Sequence, residues 1–215
     1  MIHAATSGVI AGSRRASNPT GITYLVDEDF EGAGAPSGWS TGAGSPNYDY
    51  TTSPAPLRGS QSLYLPGTGA IAVSSTFTAQ SDLWVFARLN WSQTPTVSTP
   101  VFIGLLNNAT TLCRALALNN TKINIYNGTA SATTGTLSPP TTYYVWVRYT
   151  KGTGANGYAG IYVGTTTTRP SLTASVSNGT ATLDCDRVKF HADASASLIV
   201  DQVRVSASEI GDVDS

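Results

Sequence analysis

Ile22-Thr23-Tyr24-Leu25-Val26-Asp27-Glu28-Asp29-Phe30-Glu31-Gly32 is written in steps of two. Tyr24, Val26 and Phe30 fall on one side of an extended chain, and Asp27, Asp29 and Glu31 on the other, the pattern of a strand with one face buried and one face wet. Working outward, the same reading predicts strands at Ser62 to Leu65, Ala70 to Phe77, Leu83 to Trp91, Val101 to Leu106, Leu112 to Leu118 and Lys122 to Tyr126. It continues at Tyr143 to Thr150, Tyr158 to Val163, Arg187 to Phe190 and Leu198 to Val205. Turn chemistry separates them: Asn119-Asn120 suits the positive φ of a tight hairpin, and Lys151 to Gly157, with three glycines, a longer tip. No window carries a capped helical stripe, so at most a turn or two of helix is expected. The threonine-rich stretches Thr129 to Thr142 and Thr165 to Thr168 read as loops or edge segments. Such a series predicts an all-β chain folded as two antiparallel sheets packed as a sandwich.

Composition narrows the function classes. The chain has 215 residues, of which 12 % are charged and 40 % hydrophobic, with 21 glycines and 11 prolines and a net charge of -1. A basic stripe able to neutralise phosphates is absent, which argues against nucleic acid as a partner. No apolar run approaches the roughly 20 residues of a membrane-crossing helix. Cys113 and Cys185 are expected to be buried free thiols, since a chain of this length can bury a sufficient core without staples. Met1 to Gly12 lacks a positive n-region, so no secretory leader is expected, although the Thr, Ser, Gly and Asn content suits a protein working outside the cell. Virus-particle components combine those two properties.

Residues 1–21 lack a sustained period and are read as an extended N-terminal arm, with Val9 and Ile10 available to dock on a neighbour. Residues 22–208 form the sandwich and 209–215 a C-terminal tail.

Asp29-Phe30-Glu31-Gly32, Pro36-Ser37-Gly38-Trp39, Tyr48-Asp49-Tyr50-Thr51-Thr52 and Pro56-Leu57-Arg58-Gly59-Ser60-Gln61-Ser62-Leu63 follow one another in order. This series resembles the opening of concanavalin A-like jelly-roll domains of the laminin-G and carbohydrate-binding-module kind, and Leu198-Ile199-Val200-Asp201-Gln202-Val203-Arg204-Val205 resembles their last strand. The resemblance implies a jelly roll whose first and last strands pair. In calcium-binding modules of this kind, a first-strand carboxylate and a last-strand aspartate share Ca²⁺; here Asp29, Glu31 and Asp201 take those places, with backbone oxygens near Gly59 to complete the shell. The alternative is that these acids face solvent or cap backbone N–H groups. The scaffold serves lectins, glycosidases, lyases, adhesins and phage structural proteins alike.

Catalysis finds little support in the residues. Asp27, Asp29 and Glu31 stand on one strand face at steps of about 7 Å, but among glycines at the domain entry rather than across a tryptophan-lined cleft. The two histidines, His3 and His191, have no assigned partner for lyase chemistry, and neither a nucleophile elbow, a zinc spacing nor a phosphate loop is present. Aromatic residues on strands, including Trp84, Phe86, Trp91 and Trp146, are expected to be core. Trp39, Tyr48 and Tyr50, in a glycine-rich loop, are the candidates for an exposed platform that stacks on sugar rings.

The leading expectation is a non-enzymatic phage virion protein, a capsid decoration or a tail or fibre component, that is assembled in the host cytoplasm, forms a homo-oligomer, and contacts other virion proteins through its arm. The alternative is a carbohydrate-binding module, with or without calcium, acting extracellularly or on cell-surface glycans from the same particle. A glycosidase or polysaccharide lyase comes third.

Overall fold

The computed structural model describes residues 21–53, 55–67, 69–93, 101–118, 122–192 and 195–214. Residues 1–20 of the expected arm, with His3, Val9 and Ile10, and the expected Asn119-Asn120 turn lie outside them.

The described residues form fifteen strands and no helix. In chain order they are β1 (Val26–Glu28), β2 (Ser40–Ala43), β3 (Asn47–Tyr50), β4 (Ser62–Leu65), β5 (Ile71–Val73), β6 (Asp82–Trp91), β7 (Val101–Asn107) and β8 (Thr110–Leu118). After these come β9 (Lys122–Asn127), β10 (Ala130–Thr136), β11 (Tyr143–Thr150), β12 (Tyr158–Gly164), β13 (Ala174–Val176), β14 (Arg187–His191) and β15 (Leu198–Ser206). One sheet has eight strands in the order β13-β12-β11-β6-β15-β4-β3, with β1 also on β15; the other has seven, in the order β10-β9-β8-β7-β14-β5-β2. Every pairing is antiparallel, and the two sheets pack as a sandwich of jelly-roll type. No helix long and apolar enough to cross a membrane occurs among the described residues.

Period two builds the core. From the eight-stranded sheet, Leu83, Val85, Ala87, Leu89 and Trp91 of β6 point inward beside Tyr143, Val145, Val147 and Tyr149 of β11. Ile103, Leu105, Ile123, Ile125, Val188 and Phe190 meet them from the other sheet. Each large side chain so buried contributes roughly 1.5–3 kcal/mol. Cys113 and Cys185 lie in the same core as free thiols, and burial pushes both well above the usual thiol range.

The first and last strands do pair, with Val26 opposite Val205 and Glu28 opposite Val203. β10 runs along β9 at the rim of its sheet, so the Thr129 to Thr142 stretch includes an edge strand. One expected strand is shortened, and three strands form that were not expected. Ala70 to Phe77 is a strand only over Ile71–Val73, and β2, β3 and β13 have no counterpart in the period-two reading. Those three are only three or four residues long, and β2 reads Ser-Thr-Gly-Ala, too short and too polar for alternation to show.

The outer face of the eight-stranded sheet is also apolar in part. Trp84, Phe86 and Trp146 form a second buried cluster with Ile210 and Val213, because the chain after β15 turns back across this face. The Trp146 indole N–H donates to Gly211 O (3.0 Å), Val213 N to Thr167 O (2.9 Å), and Arg169 N to Asp212 Oδ1 (2.9 Å).

Candidate functional site

The three aromatic residues expected to form a platform separate. Trp39 and Tyr48 are 9 % and 6 % exposed and belong to the core. Trp39 closes a turn by donating its N–H to Pro36 O, and Gly38, at φ +77°, lies so close to Ser75 that a Cβ there would sit 2.7 Å from Ser75 Cβ. That tight approach directs the Trp39 ring inward, edge-on to Phe30 at 5.2 Å and parallel to Phe190 at 6.3 Å.

Tyr50 goes the other way. Tyr48 and Tyr50 would share a face in a regular strand, but the β3–β4 register shifts between Asn47 (opposite Tyr64) and Tyr50 (opposite Ser62). A one-residue shift turns a side chain to the opposite face. Tyr50 thereby stacks on Tyr64, with ring centroids 4.2 Å apart and planes 15° from parallel. Tyr64 itself points away from the core because Leu63 and Leu65 point into it.

The tyrosine pair forms part of the wall of a groove of ≈ 270 Å³, which Ser53, Asn90, Ser92, Pro140, Ser197 and Ile199 complete. Ser53, Ser92 and Pro140 are exposed and make the rim, while Asn90 and Ile199, 2 % and 4 % exposed, lie at the floor. Alternation places both floor residues: Leu89 and Trp91 flank Asn90 and face the core, as Leu198 and Val200 do around Ile199. The Asn90 amide N–H₂ donates to Pro140 O (3.2 Å) and Thr142 Oγ1 (3.1 Å), whereas its Oδ1 is buried without a partner. An unmet buried acceptor costs about 1–3 kcal/mol, so the groove floor offers an acceptor that a donor hydroxyl would satisfy. Among the described residues the lining carries no carboxylate, histidine, lysine or arginine. Of these residues the sequence singled out only Tyr50. Tyr64 and Asn90 carried a readable signal, the odd polar residue between two core positions of a strand.

Asp29, Glu31 and Asp201 each have protein partners. Glu31 accepts from Ser60 N (2.8 Å), from the Ser60 hydroxyl, and from Gln61 N (3.4 Å), so the backbone around Gly59 presents N–H groups to it. Asp29 lies 3.7 Å from the Arg58 guanidinium; burial raises its carboxyl above the usual range against the pull of Arg58. Asp201 is fully buried and accepts from Arg58 N (2.8 Å), the Ser62 hydroxyl (2.8 Å) and its own neighbour Gln202 N (2.7 Å). Burial pushes it up to about 7, with those hydrogen bonds and the Arg88 charge opposing. The Gln202 contact sits in a bulge of β15 against β6, where Gln202 takes φ 47°. Arg58 thus bridges the first-strand and last-strand acids. Asp27, the third acid of the alternating run, pairs with Arg204 at 3.3 Å. Among the described residues no group of three or more His, Cys, Asp or Glu side chains is arranged to hold a metal ion.

Behind this cluster stands Asp214, which ties the returning chain to the sheet. It accepts from Arg58 (2.5 Å), Arg204 (2.8 Å) and the Gln202 amide (2.7 Å), while Arg88 donates to its backbone carbonyl (2.5 Å). Burial alone would raise the Asp214 carboxyl, but the Arg204 hydrogen bond and charge, with Arg58, outweigh it and hold the group below the usual range.

No protein-family model matches the sequence, and no curated protein sequence is similar to it. Solved structures share the fold. A sialidase matches over 87 % of this chain at TM-score 0.61 and 17 % identity, and the chain spans 19 % of that protein's length. An alginate lyase solved with an alginate trisaccharide matches over 69 % of this chain and 82 % of its own, at TM-score 0.51 and 13 % identity. A botulinum neurotoxin type C structure, from work on cell entry through two ganglioside molecules, matches over 80 % of this chain and 43 % of its own, at TM-score 0.55 and 10 % identity. Identities this low establish a common architecture and nothing finer.

Proposed function

We propose that this chain is a non-enzymatic glycan-binding module whose contact surface is the Tyr50–Tyr64 groove. The observation that carries the reading is the stacked tyrosine pair beside a buried asparagine acceptor without a partner. A pyranose presents an apolar C–H face, which suits a tyrosine ring, and hydroxyls at its edge, which suit Asn90 Oδ1 and the serines of the rim. The groove lining is uncharged, so its ligand is a neutral sugar. Structural neighbours that act on or bind glycans, the alginate lyase with its trisaccharide and the neurotoxin with its gangliosides, support a glycan as the ligand, while its neutral charge is read from the groove alone. The reading is non-enzymatic because the described lining of the groove sets no carboxylate, histidine, lysine or arginine beside its two tyrosines to complete an acid–base pair. It needs no calcium, since Asp29, Glu31 and Asp201 already have partners. In this reading the module is carried on a phage particle, a placement supported by the charge-poor β composition; a protein inventory of purified particles lacking the chain would remove that placement alone.

A glycan array with the full chain tests the groove. Retention of a neutral glycan, equal in calcium and in chelator, and lowered about ten- to hundredfold by Tyr64→Ala, is the expected result. Absence of retention on every neutral glycan, or retention indifferent to Tyr64→Ala in a variant that still melts cooperatively, would remove the reading.

A further inference from the structure

We propose that the outer face of the seven-stranded sheet holds a second binding site, one that takes an acidic polysaccharide by its carboxylates at Arg114 and Lys189. It lies on a different sheet from the groove and takes a ligand of different charge.

The strand register assembles the site. Tyr126 of β9 stands opposite Arg114 of β8, Arg114 opposite Gly104 of β7, and Gly104 opposite Lys189 of β14. Cys113, Ala115, Val188 and Phe190 face the core, so Arg114 and Lys189 face away from it. Two strand spacings of about 4.8 Å separate the two cations along the row, and Gly104 between them contributes no side chain to fill the lane. Arg114 and Lys189 are half-buried rather than sealed.

Six of the ten described Arg and Lys side chains have acid partners, and Arg114 and Lys189 are among the four that do not, with Arg88 and Lys122. Arg58, Arg148, Lys151, Arg169, Arg187 and Arg204 each pair with a carboxylate. Arg114 and Lys189 have no ion pair among the described residues. Burial, and then the charge of Arg114, lowers the Lys189 amine, a repulsion that an anion seated between the two would relieve. The Arg114 guanidinium lies over the Tyr126 ring at 4.9 Å, which fixes its plane and leaves its N–H edge to meet a carboxylate with two parallel hydrogen bonds. Next to it Asn124, 7 % exposed, has a buried Oδ1 without a partner, an acceptor for a sugar hydroxyl. A guanidinium, an ammonium and a ring in one row, with an amide acceptor two residues along β9, match a uronate-type sugar better than a phosphate backbone, which needs a longer stripe of charge.

The test titrates the full chain at low salt with a galacturonate hexamer, a neutral glucose hexamer and a short polyglutamate. The galacturonate hexamer is expected to bind, with affinity falling as salt rises, and the Arg114→Gln/Lys189→Gln double variant is expected to lose about ten- to hundredfold. Arg114→Lys keeps the charge, loses the two-pronged contact, and is expected to fall between. Tyr64→Ala is expected to leave galacturonate binding unchanged. Failure of the natural chain to bind galacturonate, indifference to the double variant, or equally tight binding of polyglutamate would each overturn the proposal. Loss of galacturonate binding in Tyr64→Ala instead would place the acidic ligand in the groove, overturning this site and keeping the groove as a glycan-binding surface but not its restriction to neutral sugars.

Discussion

On one half of the outer face of the eight-stranded sheet, Trp84, Phe86 and Trp146 lie under Ile210 and Val213, and Asp214 pins the covering segment with three side-chain contacts. On the other half, Tyr50, Tyr64, Asn90 and Ile199 line a groove with a polar rim. The same two strands, β6 and β15, run beneath both halves. In the closed half the Trp146 indole N–H has its acceptor on the covering segment; in the open half Asn90 Oδ1 has none. Aromatic residues facing outward are therefore no guide to a binding surface by themselves. What separates core from contact surface is whether a segment distant in sequence comes back to cover them.

The largest effect is expected from removing the cover. Deleting residues 207–215 gives up the burial of Ile210 and Val213 and bares three aromatic side chains, a loss of at least about 4 kcal/mol in urea unfolding together with increased binding of a hydrophobic dye. Ile210→Ala is the milder form, expected to cost about 2–5 kcal/mol while the chain still folds. An unchanged unfolding midpoint in either would mean that the two halves do not differ in this way.

A slightly smaller effect is expected at the boundary between the halves, where Asp201 sits. Its carboxyl titrates near pH 3.8 when unfolded and is pushed up to about 7 by burial in the fold. The folded state therefore holds a proton that the unfolded state has lost, so stability is greatest below pH 3.8 and declines as pH rises to about 7, then levels. The decline is of order 4 kcal/mol. Asp214, held below its usual range, acts in the opposite sense, and its contribution is lost only as pH falls beneath about 3.8. Unfolding measured across this range is expected to show the decline in the natural chain and a clearly shallower one in Asp201→Asn, where the raised Asp29 and Glu28 carboxyls still contribute; equal profiles in the two would show that Asp201 stays ionised on folding.

Alternation on β6, β11 and β15 was plain in the sequence because these strands are long, and the expectation that Trp84, Phe86, Trp91 and Trp146 are core holds, Trp91 between the sheets and the other three beneath the covering segment. The pairing of first and last strands was also readable. The covering segment was not, since 207–214 has no period and its partners, Thr167, Arg169 and Trp146, are forty or more residues distant. The β3 register shift was equally invisible: it sends Tyr50 outward and leaves Tyr48 inside, though the two are spaced as same-face neighbours. Arg58 as the residue that joins Asp29 and Asp201, by its guanidinium on the first and its backbone N–H on the second, was within reach, for it stands in the quoted Leu57-Arg58-Gly59-Ser60 stretch, but nothing in the spacing ranked these contacts above calcium.

The smallest effects come from deleting one polar group in each half, and they sharpen the comparison most. Trp146→Phe removes the N–H that meets Gly211 O inside a sealed contact, leaves that carbonyl unmet, and is expected to cost about 1–3 kcal/mol in unfolding. Tyr50→Phe removes a hydroxyl from a half-buried ring, leaves the 4.2 Å stack on Tyr64 intact, and is expected to shift unfolding by less than about 0.5 kcal/mol. If the sugar rests on the ring face, as the stack and the uncharged lining suggest, the same variant lowers neutral-glycan affinity by less than about threefold. A drop beyond about tenfold would assign recognition to the Tyr50 hydroxyl, since a site built to meet a hydroxyl discriminates steeply when one partner is lost. The open half would then distinguish sugars by hydrogen-bond stereochemistry, and Asn90 would become the next residue to change.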